Sequence, residues 1–170
     1  MSDLNSHILV PGFVLVGWTF LISVRHYLTQ KKAAKNRDVE YRYFKTYSGD
    51  APDYLHQSRE HYKNLHQQPI LFYFILFGQF LTGPGGFLDI ILAWSYVSAR
   101  IIHSLIRETT NFVPHRLRVF GIAYFILVAL WVRWGLLLFN LLRKNWKNFT
   151  NQPSLNLFPI THFKNPMAPK

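Results

Sequence analysis

The stretch AWSYVSARIIHSLIRETTN, residues 93–111, begins like the second half of a membrane helix and then departs from one. Arg100, His103 and Arg107 stand at i, i+3 and i+7, a spacing that puts them on one helical face. An ionised side chain in hydrocarbon costs at least ~2.5 kcal/mol even on a lenient insertion scale. The stripe must therefore face the interior of a bundle, pair with another group, or reach the aqueous edge. Arg107 lies close to the helix end and can snorkel to the head groups. Arg100 lies about 10 Å deeper along the axis, where snorkelling is harder. Taken alone, His103 reads as a satisfied interior histidine.

The surrounding sequence supports a membrane setting. A formal charge of +11 on 170 residues points to nucleic acid or to a membrane surface. The long apolar blocks decide for the membrane, and no nucleic-acid-binding motif or phosphate-binding glycine loop is present. No cysteine occurs, so the chain has no disulfide framework and no thiolate nucleophile. No metal site is expected. The block ILVPGFVLVGWTFLISV, residues 8–24, has no Lys or Arg before it and Arg25 and His26 after it. A signal peptide has the reverse arrangement, so this block predicts a retained helix over about residues 8–28.

The apolar run 69–81 is too short to span alone, but no Gly or Pro interrupts residues 53–68. With Asp50 and Pro52 as a start signal, one helix is predicted over 52–81, polar then apolar, kinked at Pro69. TGPGG, residues 82–86, is a turn, and further helices are predicted over about 87–107 and 117–142. The tail, 143–170, carries four prolines and reads as irregular, and LysLysAlaAlaLys at 31–35 reads as a head-group-facing loop start. The predicted fold is an all-α bundle of four transmembrane helices.

Twelve Lys and Arg residues lie in the segments following the first and third helices, against five in the tail and none before the first helix. The excess predicts both termini away from the cytoplasm. A second polar face lies on the second helix: His56, Arg59, Glu60, Lys63, Asn64 and Gln67 recur at spacings of three and four. An exposed amphipathic turn explains residues 56–63. It explains Asn64 and Gln67 less well, because they abut the apolar block. If the two faces meet, Arg59, Lys63, Arg100, Arg107 and Arg116 outnumber Glu60 and Glu108, and the cleft suits an anion.

Two motifs carry a resemblance. R-E-H-Y-K-N-L-H-Q-Q-P-I-L-F-Y, residues 59–73, and A-R-I-I-H, residues 99–103, are similar to the second- and third-helix signatures of the MAPEG family (membrane-associated proteins in eicosanoid and glutathione metabolism). The chain looks closest to an uncharacterised bacterial branch, which implies a bacterial inner membrane. The resemblance implies a four-helix bundle assembled as a homotrimer, with glutathione as co-substrate bound between subunits. A trimer would also shield Arg100.

Carried onto this sequence, the resemblance gives Arg116 as the catalytic, thiolate-stabilising group. Arg59, Lys63, Asn64, Gln67, Arg100, His103 and Arg107 are the glutathione-binding candidates. Lys63 and Arg100 would hold carboxylates. Departures stand beside these matches. Gln67 replaces the usual Glu that holds the glutathione amino group. Arg107 lies near a family Tyr, Leu117 near a Ser, and His66 where the branch is apolar.

A hydrophobic small molecule or lipid is the expected second ligand. Phe72, Tyr73, Phe74, Phe77, Phe120 and Tyr124 supply enough aromatic surface for it, although most of them read as ordinary packing or lipid-facing residues. A glutathione-dependent transferase or peroxidase, a non-catalytic lipid-binding scaffold, and an accessory membrane subunit all remain open.

Overall fold

The computed structural model describes residues 6–83 and 86–151. Among them there are helices and turns but no strand. The elements are α1 (Val10–Asn36), α2 (Tyr41–Thr46), α3 (Asp53–Gln67), α4 (Pro69–Thr82), α5 (Phe87–Glu108) and α6 (Val113–Thr150). Of these, α5 and α6 are long and apolar enough to cross a membrane. One core draws on α1, α4, α5 and α6, with Leu15, Phe72, Ile75, Tyr96, Val97 and Leu127 among its buried members. Large apolar side chains also cover the outward faces, for example Phe13, Phe20, Phe125 and Leu136. So much exposed apolar surface is foreign to a water-soluble monomer.

The expected break at Pro69 is present. Helix α3 ends at Gln67 and α4 begins at Pro69, with Gln68 between them still in the right-handed helical region. Proline has no N–H to return to Leu65, and Leu71 instead donates to the Gln68 carbonyl at 3.2 Å.

Three boundaries differ from expectation. First, α1 does not stop near residue 28. It runs through LysLysAlaAlaLys to Asn36, where Arg37 closes it in the left-handed region at φ 59°. Lys and Ala are strong helix formers. Ala33 is buried against Tyr43 and Leu55, which ties this extension to α2 and α3. Second, α6 starts at Val113 rather than 117, with Pro114 in its first turn. Third, α6 continues through the expected start of the irregular tail to Thr150. Residues 152–170 and the centre of the TGPGG turn lie outside the described residues.

Two polar ties hold the helices at opposite ends. At the end where α3 meets the C-terminus of α5, His61 contacts Glu108 (Nδ1 to Oε1, 2.7 Å) and Ser104 (Nε2 to Oγ, 2.7 Å). Trp18 of α1 donates to the same Ser104 oxygen at 2.9 Å, and Arg25 pairs with Glu108 at 2.5 Å. As the carboxylate can only accept, His61 donates from Nδ1 and accepts the Ser104 hydroxyl at Nε2. Three helices are thus joined with every partner satisfied. At the other end, Arg133 of α6 donates to fully buried Asp89 of α5 at 2.8 and 3.4 Å.

Close approach of α4 and α6 depends on a missing side chain. A Cβ at Gly78 would lie 2.4 Å from the Trp134 ring, whereas one at Gly121 meets nothing within 4 Å. Gly78→Ala should therefore lower the unfolding free energy in detergent, by overpacking on the order of 1–3 kcal/mol. Gly121→Ala should raise it by about 0.5–1 kcal/mol through helix propensity alone. Equal effects from the two would refute this packing of α4 on α6.

Candidate functional site

Arg100 is fully buried within a single chain, with partners at both terminal nitrogens and none at Nε among the described residues. Its Nη1 donates to Gln68 Oε1 at 2.6 Å, and its Nη2 donates to both the backbone oxygen and Oδ1 of Asn64 at 2.9 Å. The guanidinium carbon lies 5.8 Å from the Phe120 ring centre. Charge-assisted hydrogen bonds of this kind are the strong ones. They fasten α5 to the junction of α3 and α4. Because one chain alone buries Arg100, no neighbouring subunit is required to shield it.

Beside this anchor lies a cavity of about 190 Å³ lined by Asn64 of α3, His103 and Arg107 of α5, and Val113, Arg116, Leu117 and Phe120 of α6. Of the expected cleft residues, Asn64, His103, Arg107 and Arg116 line this space, while Arg100 and Lys63 do not. Arg116 is positioned by Asn111, whose Oδ1 accepts from Nη1 at 2.6 Å. Arg107 has no hydrogen bond or ion pair among the described residues, and its Nε is buried without a partner. His103 is 3% exposed and makes no hydrogen bond among the described residues, and its ring centre lies 5.7 Å from that of Phe120. Two guanidiniums, an imidazole and an amide therefore converge on one space. The first turn of α6, at the positive end of the helix dipole, adds to the positive field.

Other candidates lie elsewhere. Lys63 pairs with Glu60 at 3.0 Å on an exposed surface, and Lys63 holds the Glu60 carboxyl below its ordinary range. Arg59 donates to the Tyr47 carbonyl at 3.0 Å and stacks over that residue's ring. Gln67 is exposed and is not part of the cavity wall. The amide that meets Arg100 is its neighbour Gln68. No carboxylate lines the cavity: the nearby acids are engaged, Glu60 by Lys63 and Glu108 by Arg25 and His61.

Sequence reasoning missed Gln68, the His61–Ser104–Glu108 tie and the Asp89–Arg133 pair. The last had a readable signal: two opposite charges, each inside an apolar helix, require a partner. Among the described residues no cluster has the composition of a metal site.

Comparison with curated proteins gives no match, and comparison with solved structures gives none either. The profile of the MAPEG family matches residues 8–136, which takes in all the helices described above except the end of α6. The chain belongs to the MAPEG family, and it is a membrane protein of that family.

Proposed function

We propose that the protein crosses the membrane four times as a four-helix bundle and binds an anionic ligand in the cleft of Asn64, His103, Arg107 and Arg116. The observation that carries this reading is the convergence of two guanidiniums on a cavity with no acidic group in its wall. Such a site is costly when empty and gains from a bound anion. The bilayer is the surrounding partner. A homotrimer rests on the family resemblance alone.

Within this reading the enzymatic alternative is glutathione-dependent transfer to a hydrophobic electrophile. Arg116 would then favour the thiolate over the thiol by charge and hydrogen bonding, and Arg107 would hold a carboxylate. A non-catalytic, lipid-binding role is the second reading. It is favoured by the exposure of Gln67 and the lack of any carboxylate to receive an ammonium group.

Glutathione titration into the detergent-solubilised protein separates the two. On the enzymatic reading glutathione binds saturably, and Arg116→Ala leaves binding largely intact while abolishing transfer, because charge on sulfur matters most in the transition state. Gln67→Glu should leave affinity unchanged, since that side chain is outside the cavity wall. No saturable binding at millimolar glutathione would remove the enzymatic reading.

The excess of basic residues beside α1 and α3 supports a cytoplasmic location for that end, with both termini away from the cytoplasm. A cysteine at Asn36 should then resist an impermeant thiol reagent in intact cells, and one at Asn151 should react. The opposite labelling would invert the topology.

A further inference from the structure

Resting on the reading of this cleft as an anion site, we propose that its ligand is a phosphate monoester carrying an apolar tail, rather than a zwitterionic peptide. Two features of the wall select this chemistry. The polar side offers Arg107, Arg116, His103 and Asn64. All are hydrogen-bond donors or can become so, and none carries negative charge. A peptide with a free amine would bring an ammonium group against two guanidiniums with nothing to receive it. A phosphate monoester brings about −1.5 to −2 charge and three acceptor oxygens, and a pair of arginines matches those oxygens in number and geometry.

The opposite side of the wall is apolar. Val113, Leu117 and Phe120 line it, and Val113 and Leu117 are 55% and 68% exposed on the outer face of α6. A ligand seated by its head group against Arg107 and Arg116 can therefore lay an apolar chain along α6 without leaving hydrocarbon. Arg107 is the discriminating residue. It is the cation whose hydrogen bonds are all unused among the described residues, so its removal deprives the ligand and not the fold. Asn64 is shared with Arg100, whose donors reach it from behind.

The same chemistry is available from a membrane lipid or from a soluble phosphate ester, and the test distinguishes them. The full chain in phosphatidylcholine nanodiscs is titrated with lysophosphatidate, with lysophosphatidylcholine, with glycerol 3-phosphate and with glutathione. Native mass spectrometry and tryptophan fluorescence read the binding. Lysophosphatidate should saturate at one molecule per chain, and lysophosphatidylcholine should not. Arg107→Gln and Arg116→Gln should each weaken it at least tenfold. Arg143→Gln, at the far end of α6, should leave it unchanged and so exclude general attraction to a basic surface. Glycerol 3-phosphate binding as tightly as lysophosphatidate would support the phosphate monoester and overturn the apolar tail. Glutathione saturating where both phosphates fail would overturn the inference while keeping the anion cleft. If no anion binds, or if Arg107→Gln changes nothing, both fail. Arg107→Gln is the primary variant because Arg116 also holds Asn111, and an unaltered unfolding midpoint confirms that it folds.

Discussion

The structure depends on how one buried guanidinium is satisfied. Arg100 lies in the middle of an apolar helix with no exposed surface. In hydrocarbon such a charge is tolerable only when its donors are occupied. Asn64 and Gln68 occupy both of its terminal nitrogens from the α3–α4 junction, leaving Nε without a partner among the described residues. This fixes the rotation of α5 about its axis. With Arg100 turned toward α3 and α4, His103 and Arg107, three and seven residues on, face the space between α3 and α6. The anchor thus orients the cleft without belonging to its wall.

A division of labour among the basic residues follows. Arg100 and Arg133 are structural, one held by neutral amides and the other by Asp89. Arg25 compensates Glu108, which in turn holds His61. Arg59 and Lys63 are occupied at the surface of α3. Only Arg107 and Arg116, of the residues lining the cleft, present cationic charge without an acidic partner. Net basicity overstates the number of ligand-binding groups, because most of these cations already have internal work.

Much of this was legible in the sequence. The i, i+3, i+7 stripe on residues 93–111 predicted an interior polar face, and Asn64 was recognisable as an amide too close to hydrocarbon to be idle. Helical geometry also pairs Asn64 with Gln68 at i, i+4. The resemblance drew attention to Gln67, at i+3, and the side chain one position further on proved to meet Arg100. Other features rest on long-range contacts that periodicity does not carry. LysLysAlaAlaLys looks like a solvated loop by charge, and becomes helix because Ala33 is covered by Tyr43 and Leu55. His61 reads as one more polar residue on an amphipathic helix until Ser104 and Glu108 are brought to its two nitrogens.

The claim that Arg100 is an internal anchor and not a ligand-binding group is tested most directly by a double-mutant cycle. Unfolding free energies in detergent would be measured for Arg100→Leu, Gln68→Leu and the pair. A hydrogen bond to a charged group is worth about 1.5–3 kcal/mol, so the account predicts a coupling energy of that order and a double variant less destabilised than the sum of the singles. Additive effects, together with an Arg100→Leu protein that keeps its stability and loses anion binding, would contradict it.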